Sequence, residues 1–261
     1  MAVITLLTDF GLQDEFVGVV HGVILGRCPA ARIVDLCHAV PPGDCRRAAY
    51  LLHWAYRYFP PGTIHVIIVD PGVGTGRRVL CARAHGQRFL APDNGVLTTV
   101  LQRAHRPVVH EVRNPRYWLP SVHATFHGRD LFAPVAAHLA LGVRPEALGP
   151  RTARWVRLAL PRVRRQGRRW SGTVVDIDRF GNLVTNVEAA VIRASARRPA
   201  QLRLHVNRRI IRGLVRTYGD VRRGALTAMV GSRGLVEIAV REGSAARALA
   251  ARVGDPVALD C

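Results

Sequence analysis

Six short clusters rich in glycine and aspartate hold most of the residues of this 261-residue chain that are suited to chemistry. In sequence letters they are TDFG at 8–11, DPGVG at 70–74, APDNG at 91–95, FHGRD at 126–130, DRFGN at 178–182 and GSRG at 231–234. Several directly follow runs of β-branched residues, which predict strands at 3–7, 64–69 and 174–177. Ligands of open α/β sheets bind where strands end, and glycine allows their close approach. The clusters therefore predict one ligand site, and an enzyme is the first interpretation.

The first cluster places three carboxylates close together. Asp9 ends the first predicted strand, and Asp14 and Glu15 begin the helix predicted after it. Such carboxylates repel one another unless a cation or a hydroxyl group joins them. An aspartate holding a vicinal diol, with another near a positive group, would relieve this repulsion. The alternative for Asp14 is that it N-caps the helix.

The second cluster, extended to Arg77, follows the most apolar predicted strand and carries three alternating glycines. It lacks the lysine and hydroxyl of a P-loop and does not match the dinucleotide fingerprint, so nucleotide phosphates are not expected there. Asp70 and Arg77 are expected to pair, either beside a reacting atom or as a structural ion pair that holds the loop. His127 precedes a predicted helix and is expected to face the pocket, with Asp130 as a helix cap.

The last third of the chain adds polar groups of other types. Asn182 supplies an amide able to read a base edge, and Ser232 with Arg233 supplies a hydroxyl and a guanidinium able to hold a carboxylate. Tyr218 offers a stacking face. Singly, each is more typical of a turn; together they indicate a ligand with a base, a diol and a carboxylate. The histidines lack metal-site spacing, so we expect no catalytic metal.

The elements that must position these residues fall into two domains. Residues 1–150 alternate strands with helices, predicted at 16–26, 45–59 and 131–141, and this rhythm predicts an α/β domain with a mainly parallel sheet. Asp44 is the expected N-cap of the second helix, which PPG at 60–62 would end. An Arg-rich connector at 151–170 precedes a smaller all-β, barrel-like domain at 171–261. Its strands are predicted at 172–177, 201–206, 209–212, 225–230, 235–240 and 256–259.

Composition narrows the class of protein. All 38 basic residues are arginine, and against 18 acidic residues they give a formal net charge of +20, which suggests nucleic-acid binding. The arginines are spread along the chain, however, and the connector needs no ligand. Five cysteines without CxxC spacing argue against a disulfide framework and a structural zinc site. With no leader pattern and no membrane-length apolar run, we expect a soluble cytoplasmic protein that binds neither nucleic acid nor membrane.

Over nearly its full length the chain resembles the S-adenosylmethionine hydroxide adenosyltransferases, relatives of fluorinating and chlorinating enzymes that use the same substrate. The resemblance rests on six motifs in the expected order: TDFGxxD, DPGVGxxR, APDNG, TFHGRD, DxFGNxxTN and GSRG. It implies displacement at the ribose C5′ carbon by water or hydroxide, which gives adenosine and L-methionine without a cofactor. It also implies a homotrimer whose sites lie between the N-terminal domain of one subunit and the C-terminal domain of the next.

The resemblance also implies roles for individual residues. The water-positioning triad falls on Asp70, Arg77 and His127, with the neighbouring Arg78 as the alternative arginine. The implied substrate contacts, in chain order, are Asp9 on the ribose hydroxyls, Asp14 and Asp178 near the methionine ammonium, Asn182 on adenine, Tyr218 in stacking, and Ser232 with Arg233 on the methionine carboxylate.

Two alternatives stay open. The first is a halogenase that makes 5′-halo-adenosine from the same substrate; the triad, and the lack of an insertion after Asn94 and Gly95, argue against it. The second is a non-catalytic protein that uses its charge to hold RNA. The aspartates of the motifs would line the predicted ligand site with negative charge. This charge repels a polyanion such as RNA and suits a cationic sulfonium substrate better.

Overall fold

In the computed structural model, which describes residues 2–194 and 201–260, the chain divides into two units. The first is Met1–Ala159 and the second is Leu160–Cys261. No helix among the described residues combines the length and the apolar character needed to cross a membrane. The four described cysteines, Cys28, Cys37, Cys45 and Cys81, are free thiols.

The first unit is built on a seven-stranded mixed sheet with the order β2-β1-β3-β5-β4-β6-β7. The strands are β1 (Val3–Thr8), β2 (Arg32–Cys37), β3 (Ile64–Ile68), β4 (Val79–Ala84), β5 (Gln87–Pro92), β6 (Val108–Glu111) and β7 (Arg151–Thr152). Strands β2, β1, β3 and β5 pair in parallel, whereas β4, β6 and β7 are joined by antiparallel pairings. The parallel part brings the carboxyl ends of β1 and β3 to one edge, where the first two clusters lie.

Five α-helices accompany this sheet: α1 (Phe16–Arg27), α2 (Cys45–Ala55), α3 (Thr98–Gln102), α4 (Ala133–Ala140) and α5 (Pro145–Leu148). Asp44 caps α2 as predicted, because its carboxylate accepts a hydrogen bond from the Arg47 amide. The helix is shorter than predicted, since a 3₁₀ turn at Tyr56–Tyr58 follows it. A wide turn at Gly128–Phe132 likewise delays the start of α4.

Apolar residues cover both faces of the sheet. Neighbouring residues of β3 point to opposite faces, so Val66 packs in one cluster and Ile67 in the other. The apolar cluster with Val66 includes Ile24 of α1, and the apolar cluster with Ile67 includes Leu52 of α2. A sheet buried on both faces leaves its strand ends as the place for polar chemistry.

The second unit is an eight-stranded, all-antiparallel and nearly closed barrel-like sheet with the order β12-β11-β15-β9-β10-β14-β13, and β8 pairs with β9. Its strands are β8 (Arg164–Gln166), β9 (Arg169–Ile177), β10 (Leu183–Glu188), β11 (Arg203–Val206), β12 (Arg209–Arg212), β13 (Leu226–Val230), β14 (Leu235–Val240) and β15 (Pro256–Asp260). Short helices α6 (Ala189–Arg193) and α7 (Ala245–Leu249) accompany them. The core contains Val174, Leu204, Ile238 and Leu259.

The predicted fold class is confirmed: an α/β unit with a mostly parallel sheet is followed by a barrel-like all-β unit. The Arg-rich segment between them is more ordered than a plain connector. Its start, β7, pairs with β6, and β8 near its end pairs with β9. The segment thus adds a short strand to each sheet. The strand predicted at 201–206 lies within the described residues, and in the structure it begins at Arg203.

Candidate active site

The Asp9 loop begins where β1 ends, and backbone contacts hold it in place. The Gly43 amide donates to Asp9 Oδ2 at 2.8 Å, and the Gly11 amide donates to the His38 carbonyl at 2.7 Å. Gly11 has φ +70°, a left-handed conformation that glycine adopts without strain. The half-buried Asp9 carboxylate is therefore fixed at the end of β1.

Asp14 is exposed at the entrance to α1. The N-cap position of α1 belongs to Glu15, whose side chain makes no capping bond. The alternative that Asp14 caps this helix is therefore wrong, because α1 begins one residue later than such a cap requires. Its exposed carboxylate lies in the segment that joins the Asp9 loop to α1.

Three phenylalanine rings link the Asp9 loop to the His127 turn. Phe10, Phe16 and Phe126 pack with centroid separations of 5.2–6.0 Å. A Cβ at Gly128 would lie 3.1 Å from the Phe10 ring and 3.2 Å from the Phe126 ring, so the glycine leaves these rings room to meet. Aromatic contacts thus connect two of the clusters.

Asp70, Arg77 and His127 form a contiguous cluster. Arg77 Nε lies 3.0 Å from Asp70 Oδ1 and 2.8 Å from Oδ2, and Arg77 Nη2 lies 2.5 Å from Oδ2. The same Nη2 lies 2.7 Å from His127 Nδ1. The Asp70 and Arg77 side chains are only 5% and 12% exposed. Arg77 thus bridges the carboxylate and the imidazole, which do not need to touch each other.

The bond from Arg77 determines the protonation of His127. A guanidinium only donates, so Nδ1 accepts and the proton of the neutral ring lies on Nε2. Burial lowers the pKa of His127 below its ordinary value, and the positive charge of Arg77 lowers it further. At neutral pH the ring is therefore neutral and presents an Nε2–H donor.

Arg78 belongs to a different network. Its guanidinium contacts Asp93 at 2.5 Å and Glu111 at 2.7 Å, on β6. The other Asp93 oxygen accepts from the Val156 amide at 2.8 Å. These contacts tie β5, β6 and the segment after β7 together. Of the two adjacent arginines, Arg77 is the one that contacts Asp70 and His127.

Cys45 is a site residue that the sequence interpretation missed. Burial raises the pKa of its thiol to about 11, and the nearby carboxylates of Asp44, Asp70 and Asp9 add to the shift. The half-buried thiol therefore lies among the acids of two clusters and stays protonated. Its position at the first residue of α2, directly after the predicted cap, was the available signal.

Asp130 does not cap α4, so that prediction is wrong. The residue is fully buried three positions before the helix starts, inside the wide turn. Its carboxylate accepts from the His123 amide at 2.7 Å and from Arg129 Nε at 2.6 Å. These contacts hold the turn that carries His127.

In the second unit, Asp178 and Asn182 form one turn. Asp178 Oδ1 accepts from the Phe180 and Asn182 amides at 2.9 Å, and Oδ2 accepts from Asn182 Nδ2 at 3.0 Å. Gly181 has φ +84°, and a Cβ there would collide with Ser244 Oγ. Because Nδ2 already donates, Asn182 has its side-chain oxygen left to accept from a ligand.

Two of the other predicted contacts of the second unit, Arg233 and Tyr218, also have protein partners. Arg233 Nη1 donates to the buried Asp176 at 3.0 Å, next to the exposed Ser232. The Tyr218 hydroxyl donates to Glu237 at 2.5 Å, while 43% of the residue stays exposed. Burial raises the pKa of Tyr218 to about 12, and the bond to Glu237 adds to the shift. Within the described ranges, no group of three or more His, Cys, Asp or Glu side chains is arranged to hold a metal ion.

Comparison with known proteins gives matches over both units. The family model described as the SAM hydroxide adenosyltransferase N-terminal domain matches residues 4–149, and the model of the C-terminal domain matches residues 172–258. A Thermus thermophilus protein named (R)-S-adenosyl-L-methionine hydrolase is 42% identical, over 99% of this chain and 100% of the relative. A Salinispora arenicola protein of the same name is 40% identical, over 97% and 95%. A fluorinase from an Actinoplanes species is 31% identical over 71% of each chain.

Solved structures match at the level of the whole chain. An uncharacterized conserved protein from Thermotoga maritima superposes with a TM-score of 0.94 and 35% identity, over 99% of this chain and 100% of that one. A conserved hypothetical protein from Thermus thermophilus has a TM-score of 0.79 and 40% identity over the same shares.

Proposed function

The chain belongs to the SAM hydroxide adenosyltransferase family, and from this premise we propose that it hydrolyses S-adenosyl-L-methionine to adenosine and L-methionine. The observation that carries the proposal is the Asp70, Arg77 and His127 cluster. It holds a carboxylate, a guanidinium and an Nε2–H donor together at the strand edge where ligands are expected.

The proposed reaction is an in-line displacement at the ribose C5′ carbon. The oxygen of water attacks C5′, the bond from C5′ to sulfur breaks, and its electron pair stays on sulfur, which leaves as the neutral thioether of methionine. One proton of the water is lost. The sulfonium is already activated by its charge, so the protein mainly needs to orient the water and exclude competing solvent.

We assign the water to the Asp70, Arg77 and His127 cluster. His127 Nε2–H donates to the water oxygen and Asp70 accepts one of its hydrogens, while Arg77 keeps both partners in place. This assignment gives Asp70 the task of taking the proton, because His127 Nδ1 is already bonded to Arg77. His127 thus orients the nucleophile as a donor rather than deprotonating it.

The substrate contacts remain proposals that the local geometry supports to different degrees. Asp9 binds the ribose hydroxyls, because its fixed carboxylate is suited to a diol. The free oxygen of Asn182 matches the amino group of adenine. Asp178 is already bonded inside its turn, which favours a role in orienting Asn182 besides contact with the ammonium. Asp14 for the ammonium, Tyr218 for stacking, and Ser232 with Arg233 for the carboxylate complete the set.

The direct test uses purified protein and S-adenosyl-L-methionine in ¹⁸O-labelled water. Labelled adenosine with an equal amount of methionine is the expected result and identifies attack by water at C5′. The same incubation with excess chloride tests the halogenase alternative, for which the product is 5′-chloroadenosine. Unchanged substrate in both incubations would contradict both reactions, and salt-dependent RNA binding is then the measurement to make.

We also propose that the protein is a homotrimer and that two subunits share each site. The support is the family resemblance, together with the division of the proposed contacts between the two units of the chain. Co-expressed Asp70→Ala and Asn182→Ala subunits are expected to regain activity that neither variant has alone, because mixed trimers contain some intact sites. A monomeric mass by light scattering would contradict the proposal. The cytoplasmic location and the independence from a cofactor stay predictions.

A further inference from the structure

A buried relay of polar contacts lies behind the Asp9 loop, outside the groups assigned to the reaction. Thr8, the last residue of β1, is 1% exposed, and its hydroxyl lies 2.8 Å from Nδ1 of the buried His38. His38 Nε2 lies 3.1 Å from Asp35 Oδ1, which His21 Nε2 also contacts at 2.9 Å. The relay runs from a half-exposed carboxylate at the end of β2 to the end of β1.

This relay ends on the backbone that carries Asp9. The Phe10 amide donates to the Thr8 hydroxyl at 3.2 Å, and the Gly11 amide donates to the His38 carbonyl at 2.7 Å. The two residues after Asp9 are therefore both anchored to members of the relay. The Asp9 carboxylate itself accepts from the Gly43 amide at Oδ2, which leaves Oδ1 and a second lone pair of Oδ2 to accept from a ligand.

The Thr8 hydroxyl makes two contacts at the start of the Asp9 loop. The Phe10 amide can only donate, so the Thr8 oxygen accepts it, and the hydroxyl proton or the second lone pair of Thr8 pairs with His38 Nδ1 at 2.8 Å. The buried His38 Nε2 lies 3.1 Å from Asp35 Oδ1, an ion-pair distance without hydrogen-bond geometry. Thr8 is thus held by the Phe10 amide and by His38 at once, which restricts the backbone next to Asp9.

The pairing of β1 with β2 places these groups together. Leu6 pairs with Asp35 but Leu7 pairs with Cys37, so the register shifts by one residue just before Thr8. Such irregularities redirect side chains and are enriched next to active sites. Here the shift occurs between Asp35 and His38, the two relay members on that segment.

We propose that Thr8, His38 and Asp35 are positioning residues that preorganise Asp9 for the two ribose hydroxyls. This inference rests on the proposed function, since it takes Asp9 as the ribose contact. The chemical consequence is discrimination between a ribose and a 2′-deoxyribose. A loose Asp9 loop would lose most of that discrimination, because the bidentate contact to a diol needs a fixed carboxylate.

The chain offers a matched control for Thr8. Thr5 lies on the same strand, is also fully buried, and its hydroxyl lies 2.7 Å from Nδ1 of the buried His65. Thr5→Val and Thr8→Val therefore remove equivalent threonine-to-histidine bonds, but only the second touches the Asp9 loop. A loss that reflects stability alone would appear in both variants.

The experiment compares the affinities of adenosine and 2′-deoxyadenosine by calorimetry. We expect Thr8→Val to reduce the preference for adenosine about 10-fold, because a hydrogen bond to a charged group, here from the 2′-hydroxyl to Asp9, contributes about that factor. Thr8→Ser is expected to restore the preference. Thr5→Val is expected to keep the wild-type preference at a similar loss of thermal stability. Should Thr8→Val fold poorly, His38→Gln, which loses the bond to Thr8, is compared with His38→Asn, which keeps an acceptor near Nδ1.

The outcomes separate the two proposals. An unchanged preference in Thr8→Val, or an equal loss in Thr5→Val, would overturn the positioning role even if the wild type released adenosine from S-adenosyl-L-methionine. Nucleoside binding with the expected pattern but no turnover would leave the positioning role standing and would contradict the proposed hydrolysis. A wild type with no preference for adenosine would overturn the positioning role.

Discussion

Arg77 donates a 2.7 Å hydrogen bond to His127 Nδ1 across 50 positions of sequence. The bond uses the same guanidinium that binds Asp70, so one side chain fixes an acid and an imidazole together. A planar guanidinium suits this task because its N–H groups point in fixed, divergent directions. The arrangement makes Arg77 the structural centre of the proposed water site.

Arg77→Lys is expected to lower kcat about 100-fold, because an ammonium cannot reproduce the forked contacts to Asp70 and His127. Arg78→Lys is the control, because it keeps the positive charge at the neighbouring position and disturbs the contacts to Asp93 and Glu111 instead. We expect that variant to lose stability and to keep most of its kcat. Steady-state adenosine formation and thermal unfolding measure both, and equal losses of kcat would contradict the assignment.

Activity is expected to require the neutral form of His127. Burial and Arg77 hold its pKa below the ordinary value of 6.5, so protonation happens only as the pH falls below that value. Protonated His127 cannot accept from Arg77, and kcat/KM should therefore be level above pH 6.5 and fall on the acid side. His127→Asn, which keeps an acceptor, is expected to be less active and to lack this acid limb. A limb centred above 6.5 would contradict the prediction.

His65 is expected to make unfolding easier in acid. Its burial lowers the pKa to about 4 from 6.5, so the unfolded state binds the proton first as the pH falls. The free energy of unfolding should decrease between pH 6.5 and 4, by about 3 kcal/mol in total. Urea titrations of the wild type and His65→Asn measure the difference. Exposed His105→Asn is the control, and a wild-type slope in His65→Asn would refute the prediction.

The Cys45 thiol is expected to react slowly with iodoacetamide at pH 8.5, because its pKa of about 11 leaves little thiolate. Asp70→Asn removes one of the carboxylates that raise this pKa and should speed the labelling several-fold. Peptide mass spectrometry follows the rate, with half-buried Cys37 in the same chain as the reference. Labelling of Cys45 that is as fast as that of Cys37 would argue against the carboxylate-rich surroundings.

The sequence allowed the fold class to be predicted because the hydrophobic periods differ so clearly between the two parts of the chain. The hairpin of β4 and β5 was missed. Its two turn residues, His85 and Gly86, both have positive φ, and histidine is an uncommon residue in such a turn. The expected turn signals, such as Asn-Gly, are missing there.

Residue types at the site were easier to predict than contacts. The pair of Asp70 and Arg77 lies within one loop, so its spacing was informative. The relay from Asp35 to Thr8 depends on a register shift between strands, and Asp130 lies in a wide turn that no local pattern indicates. The register shift and the wide turn both depend on contacts between distant parts of the chain, and no local sequence pattern predicts such contacts.

The guanidinium that joins Asp70 and His127 has a practical consequence for anyone who handles this protein. The chain contains no lysine, so every side-chain cation besides histidine is an arginine and no side chain carries a primary amine. Acetylation, aldehyde crosslinking and succinimidyl ester dyes therefore find no lysine amine, their usual side-chain target. Dicarbonyl reagents such as phenylglyoxal, which modify arginine, are the group-specific route to the positive charge of this site.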